Sequence, residues 1–98
     1  MSQDNTAGPV IDPCGDIVAS MAVVFKERLR ESIADNPGGL TIDMARVAMV
    51  DSVGLGLLIA THNSLTKTNG QLRLANTCDD VLKLLRVMRL DRHFLIIP

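Results

Sequence analysis

The chain alternates short apolar runs with longer stretches of helical period, and each change of period marks an element. Val10-Ile11-Asp12-Pro13-Cys14 reads as a short strand that Pro13 confines to a sheet edge or a strand end. From Ser20 the period becomes helical. Met21, Val24, Phe25, Leu29 and Ile33 share one face, and Lys26, Glu27, Arg30 and Glu31 share the other. Ser20 is the expected N-cap, and Asn36-Pro37-Gly38-Gly39 supplies the turn that ends the helix. Leu40-Thr41-Ile42-Asp43-Met44 alternates as a half-buried strand does. The apolar run Val47-Ala48-Met49-Val50 then leads into Asp51-Ser52. A second helix is expected over about 53–68, with Ser52 as its cap and Leu57, Leu58, Thr61 and Leu65 facing inward. Asn69-Gly70 stops it, and Gln71-Leu72-Arg73-Leu74 follows as a strand. Asn76-Thr77 opens a third helix with a Val81, Leu82, Leu85 and Met88 stripe, and Phe94-Leu95-Ile96-Ile97 is a short last strand or extended tail. This alternation predicts one α/β domain over residues 10–98, with a mixed, partly parallel sheet packed against helices and a short N-terminal edge. Residues 1–9 are polar, end in Gly8-Pro9, and read as a flexible tail.

Composition narrows the function classes. There is no Trp or Tyr and only two Phe, so the core must be aliphatic and few surfaces could stack a nucleic-acid base. Ten basic against eleven acidic residues give a net charge of −1, which offers no general attraction to nucleic acid or anionic lipid. Lys83, Arg86, Arg89 and Arg92 cluster late in the chain and read as a solvated helix and turn surface. The opening residues show no basic and apolar leader, and the apolar run Leu57-Leu58-Ile59-Ala60 is far short of the roughly 20 residues that cross a membrane. A cytoplasmic protein without membrane insertion is expected. Cys14 and Cys78 are isolated, which fits reduced thiols, and two His without ligand spacing make no metal site. No cofactor is implied.

The segment that could carry chemistry is Asp51-Ser52-Val53-Gly54-Leu55-Gly56, at a strand-to-helix junction. From the residues alone, Ser52 caps the helix while Gly54 and Gly56 permit close packing. Enzymatic readings fail on chemistry. Gly54-x-Gly56 lacks the third glycine of a dinucleotide fingerprint, and no phosphate-binding GxxxxGK[ST] loop is present. Ser52 has no GxSxG elbow, and His62, ten residues along the same helix, lies nearly three turns away. His62 reads as a partly exposed helix residue and His93 as a surface turn residue. The protein is not expected to be an enzyme.

Asp51-Ser52-Val53-Gly54-Leu55-Gly56 closely resembles the DS[ST]GLG signature of STAS domains, the family of bacterial anti-sigma factor antagonists. Gly15-Asp16-Ile17-Val18-Ala19-Ser20 is similar to the family's G-x-L-D-A-S opening, and the strand over 40–44 to its strand ending in Asp-Leu. Asn69-Gly70-Gln71-Leu72-Arg73-Leu74 and the stretch 81–90 resemble its later turn and last helix. The resemblance implies a phosphorylation switch. An anti-sigma factor serine kinase would bind the unphosphorylated chain, phosphorylate Ser52 and then release it, and a cognate phosphatase would reset it. It also implies a partner-binding surface of Asp51, Ser52, Val53, Gly54, Leu55 and Gly56, joined by Asp16 and Val18 from the opening segment. The sequence departs from the pattern in three places. Val53 replaces a second hydroxyl residue, Val18 replaces an acid near the phosphosite, and few residues precede the first strand. An uncovered strand edge would allow pairing, so a monomer or weak homodimer is expected. Two further roles fit the same resemblance: an accessory subunit of a phospholipid-transport ABC system that binds its ATPase, and a nucleotide-binding sensory domain.

Overall fold

The computed structural model describes residues 8–97, so of the tail expected over residues 1–9 only Gly8 and Pro9 fall within it. The strands are β1 (Val10–Ile11), β2 (Gly39–Asp43), β3 (Gln71–Ala75) and β4 (Leu95–Ile97). The helices are α1 (Ala22–Asp35), α2 (Ser52–Thr66) and α3 (Asp79–Val87), with single 3₁₀ turns at Ala19–Met21 and Leu90–Arg92. The sheet has the order β1-β2-β3-β4, and each pair of neighbours is parallel. The parallel part of the expected mixed sheet thus extends to every described strand. Right-handed crossovers between sequential parallel neighbours carry the intervening helices to one face. The register shows which face that is. Ile11, Ile42, Leu74 and Ile96 lie in one row on the core side, while Val10, Thr41, Arg73 and Leu95 form the opposite row. Both edges are short, two residues at β1 and three at β4, which limits unwanted strand pairing. Pro9 extends β1 by one bond, its carbonyl accepting the Thr41 N–H at 2.9 Å.

The core is aliphatic apart from Phe25 and Phe94, and Leu40, Ile42, Leu58, Leu65, Leu72, Leu74 and Leu85 are fully buried. In α1 the packed stripe is narrower than the periodicity predicts. Phe25 and Leu29 are buried and Met21 and Ile33 half-buried, but Val24 is 69% exposed. One neighbouring helix, α2, covers α1, so a single ridge suffices and the residue beside it stays in water. Past the end of α3, Met88 is likewise exposed, while Val81 and Leu85 are buried.

Helix ends correct three expectations. Ser20 does not cap α1: the 3₁₀ turn precedes the helix, and Met21 holds the N-cap position without a side-chain bond. Cys78 rather than Asn76 or Thr77 is the N-cap residue of α3, where Asp79 and Asp80 in the first turn favour the helix dipole instead. Asn76 adopts φ 59° and its Nδ2 donates to Asp43 Oδ1 at 3.0 Å, tying the ends of β3 and β2 together. The third, at Ser52, belongs to the site. By contrast Asn69 and Gly70 end α2 as expected, with Asn69 left-handed at φ 58° and Gly70 N–H donating to the Leu65 carbonyl at 2.8 Å.

His62 on α2 is half-buried, with its ring edge-on to Phe94 at 5.6 Å and to His93 at 5.5 Å. Burial, and secondarily the charge of His93, hold its pKa below the ordinary histidine value. The unfolded chain therefore binds this proton more readily than the folded one. Stability should be unaffected by this group at neutral pH, and should fall as pH drops through the ordinary histidine range towards the lowered folded value. We expect the melting temperature of the parent protein to fall more steeply between about pH 7 and pH 5 than that of His62→Gln. Parallel slopes would remove this account of the contact of His62 with His93 and Phe94.

Candidate functional site

Two backbone segments meet at the N-terminal end of α2. Ile17 forms an isolated parallel bridge with Val50: its N–H donates to the Met49 carbonyl at 3.1 Å, and its carbonyl accepts the Asp51 N–H at 3.3 Å. Asp16 braces the same approach from outside, its Oδ1 accepting the N–H groups of Ala48 at 2.8 Å and Met49 at 3.1 Å. These bonds explain why the apolar run over 47–50 forms no regular strand. Its residues Val47 and Val50 are buried, but Ala48 and Met49 are turned outward while their N–H groups are held by a side chain.

Asp51, not Ser52, is the N-cap of α2. Its Oδ1 accepts the Gly54 N–H at 2.8 Å, three residues on, as a capping carboxylate does. Its Oδ2 reaches back to the Ala19 N–H at 2.9 Å, in the 3₁₀ turn that follows Val18. The bonds from Gly54 and then Ala19 hold the Asp51 carboxyl below the usual aspartate range, because both donors favour the charged form. Ser52 is left as the first residue of the helix. It is exposed, and its hydroxyl makes no hydrogen bond among the described residues.

Gly54 is buried where the chain crosses under Ile17: a Cβ there would overlap the Ile17 carbonyl oxygen. Leu55 is buried in the core, whereas Val53 is 48% exposed and Gly56 is open to solvent with nothing near its missing side chain. The structure thus brings Asp16, Val18 and the segment Asp51–Gly56 to one end of the molecule, and divides them by task. Asp16, Asp51, Gly54 and Leu55 hold the junction together, while Ser52, Val53 and Gly56 face outward. Val18, half-buried, heads the 3₁₀ turn without a side-chain cap. The Ile17 carbonyl and the Ala19 N–H act here as backbone groups, which residue type does not reveal.

Among the described residues no cluster of His, Cys, Asp and Glu could hold a metal ion. No described helix is long and apolar enough to cross a membrane. Cys14 is exposed and Cys78 half-buried, and both are free thiols.

The sequence profile of the STAS domain matches residues 2–98, and the chain belongs to this family. It is 36% identical over 62 residues to the anti-sigma-F factor antagonist RsfB of Mycobacterium tuberculosis, covering 63% of this chain and 51% of that protein. It therefore spans about half the length of that relative. Similarity to the anti-sigma-B factor antagonist of Bacillus subtilis is 30% identity over 74 residues, 76% of this chain and 67% of the other. Among solved structures, a candidate anti-sigma factor antagonist from Thermotoga maritima superposes with a TM-score of 0.84 over 95% of this chain and 81% of its own. At 19% identity that likeness establishes the shared fold.

The two helical glycines should respond oppositely to alanine. Gly54→Ala forces apart the backbones of α2 and Ile17 and should cost about 3 kcal/mol. Gly56→Ala meets open space in a helix interior and should stabilise by about 0.5–1 kcal/mol. Urea unfolding of both variants checks this, and equal effects would mean that the Ile17 contact is not tight. Asp51→Asn keeps an acceptor for Gly54 but replaces the second one with an amide that cannot accept from Ala19. The ionised Asp51 contributes fully above the ordinary aspartate pKa, and its contribution is lost as pH falls through its lowered folded value. The variant should therefore melt lower at neutral pH, and the difference from the parent should shrink on acidification. A difference that stays constant with pH would show that the carboxylate charge is immaterial.

Proposed function

We propose that the protein is an anti-sigma factor antagonist that acts in the cytoplasm by partner switching. In its unphosphorylated form it binds an anti-sigma factor serine kinase and so frees a sigma factor. The kinase transfers a phosphate to the Ser52 hydroxyl, the complex dissociates, and a cognate phosphatase restores the binding form. The chain does no catalysis of its own in this cycle. The names of the M. tuberculosis and B. subtilis relatives support the antagonist role.

One observation carries the choice of Ser52. Because Asp51 caps α2, the serine hydroxyl is exposed in the first turn and bonds to none of the described residues, so a kinase can take it without disturbing a structural bond among them. A phosphate there adds a charge of about −1.5 to −2 at neutral pH. The helix dipole favours it by about 0.3–1 kcal/mol, and the neighbouring Asp51 charge opposes it, so the fold changes little. The partner bears the effect, since its surface must meet new charge where it met a neutral hydroxyl. Each 1.4 kcal/mol of such mismatch weakens binding about tenfold.

Incubation with a cognate anti-sigma factor serine kinase and ATP should add one phosphate by intact mass. Ser52→Ala should take none. Ser52→Asp should melt like the parent yet bind the kinase at least about tenfold more weakly. Phosphate on the Ser52→Ala variant, or equal kinase binding by the parent and Ser52→Asp, would overturn the switch.

A further inference from the structure

Beside Ser52 a furrow runs between α1 and α2. It contains two adjoining hollows of about 290 and 270 Å³ that share Lys26, Leu57 and Ala60. The nearer one begins at Val53 and Gly56 and is walled by Ala22 and Val23; the farther one reaches Ile33 and Ser64. Along α2, Ser52, Gly56, Ala60 and Ser64 follow at four-residue intervals and are all exposed. The hydroxyl assigned to the switch therefore heads the helix row that floors the furrow.

Three features say what the furrow fits. First, it is apolar at its wet rim: Val23 is 82% and Val53 48% exposed, an unusual outlay of aliphatic surface beside open hollows. Second, Gly56 lies in the second turn of α2 and lowers helix stability by about 1 kcal/mol relative to alanine. Unlike Gly54, it has no neighbour in the described chain that requires it, but it does keep the furrow floor low. Third, the charge within the hollows is one-sided, although Arg30 has Glu27 at 3.8 Å outside their lining and only Lys26 is without such a neighbour among the described residues. The two hollows are lined by the cations Lys26 and Arg30 and by no carboxylate, and α2 itself holds no Asp, Glu, Lys or Arg. Lys26 makes no ion pair among the described residues. A second copy laid face to face would set these cations against each other, so the fitting occupant brings acids of its own.

Resting on the antagonist reading above, we infer that this furrow receives a helix of the kinase. The helix would seat two aliphatic side chains about one turn apart, one in each hollow, with an acidic residue directed at Lys26. Adjoining hollows along one helix row match the spacing of anchors on an amphipathic helix. The inference also gives the switch an electrostatic cause. A phosphate on Ser52 sits at the head of the furrow and repels the acid that Lys26 attracts, so charge complementarity turns to like-charge opposition in a single step. Val53, which departs from the hydroxyl residue of the family signature, supplies an apolar wall where that signature has a polar group.

The test uses the full chain and the kinase, with affinity read by calorimetry. Ala60→Arg fills the shared part of the furrow, and Val23→Asp places an acid on its rim; both sites are exposed, so both variants should melt within a few degrees of the parent. Each should weaken kinase binding by about tenfold or more. Lys26→Glu should weaken it severalfold and reduce its dependence on salt. Parent-like affinity in Ala60→Arg and Val23→Asp, alongside loss in Ser52→Asp, would overturn the furrow and leave the switch standing. No kinase binding by the parent would overturn the antagonist reading and this inference with it. If the variants instead convert a dimer to a monomer in sedimentation while kinase affinity is unchanged, the occupant is a second copy and the inference is wrong.

Discussion

The working end of this molecule depends on how closely the Ile17 carbonyl approaches the first turn of α2. That oxygen accepts the Asp51 N–H and lies against Gly54 where any side chain would collide with it. The contact brings the segment before α1 and the segment before α2 into one rung. Asp51 can then bridge them, with one carboxylate oxygen for Gly54 and the other for Ala19. A larger residue at 54 would lift the rung, separate the bridge and leave Ala19 without its acceptor. The glycine is thus a packing requirement first, and the geometry of the site follows from it.

That Ser52 bonds to none of the described residues is a consequence of the same arrangement. A serine in the first turn of a helix competes to cap it, and a hydroxyl bonded to a backbone N–H would be a poor acceptor of phosphate. Asp51 removes the competition. It takes the capping bond itself, and burial of Leu55, Leu58 and Leu65, at roughly 1.5–3 kcal/mol each, outweighs what two glycines subtract from α2. Helix, cap and core are therefore complete without Ser52, which can change its charge without being needed by any of them.

Much of this was legible in the sequence because it rests on local rules. The three helices and the strands at 40–43 and 71–74 follow from period and turn residues, and Asn69-Gly70 ends α2 by the backbone conformation those residues favour. The junction was located by its signature, but the capping residue was misassigned. Asp and Ser are both good caps, and adjacent ones cannot be ranked without knowing that Ala19 offers a second donor to Asp51. The same limit explains Val24 and Met88. Periodicity finds every apolar position near a face, whereas burial depends on how many neighbours cover it. Backbone contributions, such as those of Ile17 and Ala19, leave no trace in residue type at all.

The distribution of charge along α2 ties the fold to the proposed switch. Fifteen residues pass without an Asp, Glu, Lys or Arg, so the helix presents a neutral surface whose only ionisable side chain, His62, is half-buried near β4. The acids of the site sit instead in the flanking segments, where Asp16 and Asp51 are held by backbone N–H groups at the junction. On a surface already crowded with charge, one more phosphate would be a small fractional change, screened by its neighbours. On α2 it changes the face from neutral to about two negative charges. A partner matched to the neutral face has no arrangement that suits both states. In the proposed switch, that neutrality, kept along the whole exposed row from Ser52 to Ser64, is what would let a single hydroxyl decide whether the surface can be bound.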